Sequence, residues 1–121
     1  MSEPNKDKEK ELIKPLTADE FDQTLNKPGQ VALVDFWAPW CGPCQAQLPL
    51  LEKLAEEVGD DYLLAKVDVD EEPELARRFQ IRSIPTIAIL REGQVVQVFT
   101  GVQQPRVLKS SLEKAATVSA S

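Results

Sequence analysis

The chain has 121 residues, 42% hydrophobic and 28% charged, a length and balance that suit one globular domain with its own core and exclude a wholly disordered or a membrane class of protein. Its formal charge is −6 and it has no histidine, so an acidic surface repels phosphate backbones and no nucleic-acid partner is expected. No run approaches the roughly 20 apolar residues of a membrane span, and the start MSEPNKDKEKE lacks the apolar stretch of a signal peptide, so no membrane partner is expected and the cytoplasm is the expected location.

Residues 1–11 alternate acidic and basic side chains, and residues 117–121 are small and polar. They are expected to form a flexible N-terminal arm and a flexible C-terminal tail around a domain at 12–116. Leu12 to Leu16 read as a short strand. Thr17-Ala18-Asp19-Glu20 is a capping box that opens a helix with Phe21 and Leu25 on one face, and Pro28-Gly29 closes it. The run VALVDFW, residues 31–37, is apolar on both alternating faces except at Asp35, the pattern of a central strand covered by helices.

Leu51, Leu54, Ala55 and Val58 recur at helical spacing, which predicts a helix from about Pro43 to Val58, kinked where Pro49 removes a backbone donor. LLAKVDVD, residues 63–70, reads as a second buried strand. Pro73 then opens a short helix with Leu75, Ala76 and Phe79 inward. TIAIL (86–90) and VVQVF (95–99), separated by Arg91-Glu92-Gly93-Gln94, predict an antiparallel hairpin. Val107, Leu108, Leu112 and Ala115 give the last helix one apolar side. The sum is an α/β domain, a mixed sheet of four to five strands flanked by helices on both faces. In such sheets chemistry sits beyond the carboxyl ends of the parallel strands, which is where strand 31–37 delivers the chain to Cys41.

Both cysteines fall in WAPWCGPC, residues 37–44. In a reducing compartment a pair at this spacing is more often catalytic or metal-binding than a structural staple. Tetrahedral zinc wants four ligands, and a chain with no histidine and no second pair offers none except across a dimer, so no metal is expected. A helix starting near Cys41 to Pro43 directs unpaired N–H groups and the positive end of its dipole at the Cys41 sulfur. That favours the thiolate below the free value of about 8.5. Cys44, one turn in, is more shielded. Cys41 is thus the candidate nucleophile towards a substrate disulfide and Cys44 the resolving thiol. Gly42 lets a protein chain approach closely, and Pro43 in a first helical turn removes no needed donor. An oxidant or isomerase gains from a charged residue between the cysteines, and Gly42-Pro43 supplies none.

VDFWAPWCGPC, then Pro49, AKVDVD, IRSIPT, Glu92-Gly93 and Gly101 follow one another in the order and spacing of the thioredoxin family, which residues 12–116 resemble. The resemblance implies the thioredoxin fold and a thiol–disulfide oxidoreductase that reduces protein disulfides. It further implies a monomer without a cofactor of its own, re-reduced by an NADPH-dependent thioredoxin reductase. Asp35 resembles the family's buried acid, which exchanges protons with the resolving cysteine, and desolvation is expected to raise its pKa. Lys66 resembles the lysine facing that acid, where its charge lowers the pKa again. Ile84-Pro85 resembles a cis-proline loop opposite the cysteines, with the Ile84 backbone beside Cys41 and able to bind an extended substrate as an added strand.

Trp40, Gly42, Pro43, Ile84, Pro85, Gly101 and Val102 would then form a flat apolar patch around the sulfur, with Trp37 as supporting core. Three features depart from the family's pattern. Gln45 stands where many members have lysine, Ser83 stands where glycine is frequent, and the arm 1–11 is longer than the minimal domain. The alternative reading is a thioredoxin-fold binding module or co-chaperone, against which the intact WCGPC argues.

Overall fold

The run that is apolar on both faces lies at the centre of the molecule. In a computed structural model that describes residues 12–117, β2 (Val31–Trp37) pairs in parallel with β3 (Leu63–Asp68) on one side and antiparallel with β4 (Thr86–Arg91) on the other. β1 (Lys14–Pro15) adds to the far side of β3, and β5 (Gln94–Thr100) to the far side of β4, giving five strands in the order β1-β3-β2-β4-β5. The expected arm 1–11 and residues 118–121 of the expected tail lie outside the described residues.

Alternation along β2 sends successive side chains to opposite faces. Leu33 joins Ile87 and Ile89 against Leu51 and Leu54 of α2 (Gly42–Val58) and Leu108 and Leu112 of α4 (Pro105–Thr117). Ala32, Val34 and Phe36 pack on the other face against Phe21 and Leu25 of α1 (Ala18–Leu25) and Leu75 of α3 (Pro73–Arg78). Each large side chain buried in this way contributes roughly 1.5–3 kcal/mol. Two cores therefore clamp β2, and the loop at its carboxyl end is held from both sides.

The helix ends follow their local signals. At α1 the Glu20 carboxylate accepts the Thr17 N–H at 3.1 Å, and the Asn26 N–H closes the last turn on the Asp22 carbonyl, three residues before Gly29. α2 continues through Pro49, which faces solvent, and stops at Gly59 with φ 58°. α4 runs to Thr117, one residue beyond the expected domain boundary.

Three packing details differ from the sequence pattern. Val107 is 38% exposed, and the inward position falls instead to Ser111, whose hydroxyl donates to Gln97 Oε1 at 2.8 Å. The buried line 108, 111, 112, 115 is the tighter helical stripe, and Val107 lies off it. Phe79 lies just past α3 and is half-buried, its ring 5.3 Å from Phe21 and 5.5 Å from Phe36. β3 stops at Asp68 rather than Asp70, because the Asp68 carboxylate accepts the N–H groups of Asp70 and Glu71 and turns the chain.

The 91–94 connection is the expected hairpin. Glu92 (φ 52°) and Gly93 (φ 82°) supply the two positive φ angles of a tight primed turn. A side chain at 93 would also run into Asn26.

Candidate active site

β2 ends at Trp37, Ala38 is fully buried beneath the loop, and Cys41 is the N-cap of α2. Cys41 and Cys44 are joined as a disulfide with Cα atoms 5.2 Å apart. The Cys44 N–H, one of the unpaired amides of the first helical turn, points at Cys41 Sγ from 3.2 Å. In this oxidised form both residues are covered, Cys41 at 5% exposed and Cys44 at 2%. What distinguishes them is the helix amide at the first sulfur. The Gln45 side chain donates to the Pro39 carbonyl at 3.1 Å, so the residue in place of a lysine steadies the turn before Cys41 and adds no charge.

Opposite the pair, the Ile84–Pro85 peptide is cis and the Ile84 carbonyl oxygen lies 3.8 Å from Cys41 Sγ. The Pro85 carbonyl accepts the N–H of Gly101, whose φ of 84° suits glycine, so the loop carrying Gly101 and Val102 is tied to the cis-proline loop at 2.9 Å. Trp40 is 70% exposed, with its indole N–H held by Asp70 Oδ2 at 2.7 Å. Gly42, Pro43, Gly101 and Val102 are exposed and Ile84 is half-buried. Pro85 differs from these neighbours. It is buried.

Asp35 lies in the middle of β2, 1% exposed, with Oδ1 lacking a hydrogen-bond partner among the described residues. Burial pushes its pKa up to about 7, against which the nearby Lys66 charge pulls down. Lys66 is its register partner on β3 and is half-buried. Its ammonium lies over the Trp37 ring, 5.2 Å from the centroid. The lysine therefore tempers the acid from across the strand pair while its head rests on the tryptophan. No salt bridge joins the two among the described residues.

The model of the thioredoxin family matches residues 12–114. The chain belongs to the thioredoxin family. It is 44% identical to the thioredoxin of Bacillus subtilis over 84 residues, 69% of this chain and 81% of that protein. To the thioredoxin of Mycobacterium tuberculosis it is 41% identical over 106 residues, 88% of this chain and 91% of the relative. The crystal structure of Malassezia sympodialis thioredoxin superposes with a TM-score of 0.76 at 32% identity, covering 87% of this chain and 91% of that one. With the family, the fold and the paired cysteines in place, the chain is a thiol–disulfide oxidoreductase that works through Cys41 and Cys44.

Several residues at this thioredoxin-family site escape sequence reasoning. Gln47 is fully buried in α2, and its amide makes two bonds to the backbone of Gln103, donating to the carbonyl at 3.0 Å and accepting the N–H at 2.7 Å. The signal available was a polar residue on the inward stripe of an otherwise apolar helix. Asp70, which orients Trp40, gave none. Val69, Pro73 and Ala76 join Trp40 and Ile84 around a groove of about 340 Å³ beside the cysteines. No helix among the described residues is long and apolar enough to cross a membrane.

Proposed function

We propose that the chain reduces disulfides in other proteins. The Cys41 thiolate attacks one sulfur of the substrate disulfide, a mixed disulfide forms, and the displaced substrate thiolate takes up a proton. Asp35 accepts the Cys44 proton, and the Cys44 thiolate attacks Cys41. The second substrate thiolate leaves, and two electrons have passed from the dithiol to the substrate. Asp35 suits the task because a carboxyl with a pKa of about 7 takes up and gives back a proton near neutrality. Lys66 keeps that value from rising further.

The observation that carries the reading is the Cys44 N–H directed at Cys41 Sγ from 3.2 Å, a helix-end donor placed where negative charge develops. Trp40, Gly42, Pro43, Ile84, Gly101 and Val102 form the surface a substrate meets, shaped by Pro85, with the backbone at Ile84 as a place for an extended segment to pair. The working context is the cytoplasm. There the protein acts as a monomer, is returned to the dithiol by an NADPH-dependent thioredoxin reductase, and takes disulfide-bearing proteins as substrates.

Insulin reduction by the reduced protein tests this. Cys41→Ser is expected to abolish turnover, and Cys44→Ser to accumulate mixed disulfides that survive gel electrophoresis without reductant. Full turnover by the Cys41→Ser protein overturns the assignment of roles.

A further inference from the structure

A second recess, of about 480 Å³, shares Ile81, Arg82 and Ser83 with the groove beside Trp40 and extends along the sheet away from the cysteines. Phe36 and Ala88 form its floor. One wall is the segment from Arg78 to Ser83, and the other is β5, through Val95, Val98 and Thr100. Val95 is 42% exposed and Val98 55%, so β5 presents an apolar face to solvent.

Three observations agree on what covers it. The first is continuity with the contact surface. Thr86 and Thr100 both line the recess and are register partners. Thr86 follows Pro85 and Thr100 precedes Gly101, so the recess opens at the rim where a substrate is bound. The second is the free edge. Among the described residues β5 pairs only with β4 and ends the sheet, leaving a row of backbone donors and acceptors, and its sequence QVVQVFT carries no charge to repel an incoming strand. The third is charge. In a chain of net charge −6, three of the five arginines are Arg77, Arg78 and Arg82. Arg78 and Arg82 line the recess. Arg78 is engaged by Asp22 at 2.8 Å and lies over the Phe21 and Phe79 rings, which leaves Arg82, among the described residues that line the recess, as the cation facing an arriving carboxylate.

We propose that this recess is a second docking site for the substrate polypeptide, taking an extended apolar segment with at least one carboxylate, whose backbone pairs with the free edge of β5 and whose alternate side chains turn over Val95 and Val98 into the recess. The proposal rests on the reading that the chain reduces protein disulfides. It makes the sequence flanking a disulfide, and not the disulfide alone, a determinant of which proteins are reduced.

Two synthetic peptides with the same disulfide loop test it, one flanked on both sides by Asp-Val-Phe-Val and the other by Gly-Ser-Gly-Ser. The protein is expected to reduce the first with a KM about tenfold lower and an unchanged kcat, a ratio within reach of a few buried apolar groups and one ion pair. Val98→Glu removes that advantage while reducing the Gly-Ser peptide as fast as the unaltered protein, and Val98→Ile retains it. Equal KM values for the two peptides, or an advantage that survives Val98→Glu, overturns the proposal.

Docking is also read without redox chemistry. The Cys41→Ser, Cys44→Ser protein, titrated with the first peptide carrying serine for cysteine, should show amide shifts at Val95–Thr100 and at Ile81–Ser83. Those shifts support the site even if the protein proves unable to reduce disulfides, and shifts confined to other residues count against it. A concentration-dependent dimer that Val98→Glu abolishes, with no peptide effect, assigns the recess to a second copy of the chain and overturns the proposal.

Discussion

Asp35 is a carboxyl placed where the sheet can neither hydrate it nor pair it fully, and its proton affinity makes that a statement about stability. Its folded pKa of about 7 lies above the ordinary 3.8. Between those values the folded chain holds a proton that the unfolded chain has released, so stability falls as pH rises from about 4 and levels off above about 8. The full loss is of order 4 kcal/mol at the conversion of 1.36 kcal/mol per pH unit. Asp35→Asn, which mimics the protonated acid, is expected to be more stable than the unaltered protein at pH 8.5, by up to about that amount. Near pH 4 the two should converge. Urea unfolding of the oxidised proteins across this range checks the sign, and parallel stability curves would show that burial does not hold the proton. Asp35 was legible in the sequence because it interrupts a run that is apolar on both faces. The orientation of Lys66 was not, since its resting place on Trp37 depends on a neighbouring strand.

At the scale of elements, the helix that carries the cysteines also anchors the loop facing them. Gln47, one turn after Cys44, holds the backbone of Gln103 through two bonds, and that residue closely follows Gly101 and Val102. Gln47→Leu keeps the volume but leaves the Gln103 N–H and C=O without their partner. The expected cost is about 1–3 kcal/mol. Hydrogen exchange of the Gln103 amide should quicken by an order of magnitude or more relative to amides of β2. Unchanged protection at Gln103 would mean that another acceptor holds the loop. Pairings of this kind are invisible in the sequence because the partners stand 56 residues apart. Strand β2 was legible to the residue, since covering both faces leaves an unmistakable apolar run. The same reasoning located β5 but not its exposure. VVQVF has the composition of a covered strand, and only its place at the end of the sheet order, with a register irregularity opposite Ile89 and Leu90, reveals that its valines face solvent.

At the scale of the whole molecule, the two cores lie on opposite faces of the sheet, and β2 contributes neighbouring residues to each, Leu33 to one and Val34 to the other. Neither cluster can lose its packing without withdrawing a wall from the other. The cysteine loop hangs from the end of the strand they share, and the small cluster of Ala38, Cys41 and Cys44 with Trp37, Val69 and Ile84 holds it there. Leu33→Ala is expected to cost about 2–5 kcal/mol through the cavity it leaves. Even so, unfolding should remain a single transition. The two tryptophans are local reporters of the cysteine loop, one exposed at Trp40 and one half-buried at Trp37, whereas far-UV circular dichroism reports all the helices and strands. In urea the two signals should share one midpoint in the unaltered protein and one lower midpoint in Leu33→Ala, with an unchanged slope. If tryptophan fluorescence moved ahead of the dichroism in either protein, the loop would be melting alone. The rigidity attributed to the site would then have to come from the disulfide rather than from the strand that delivers it.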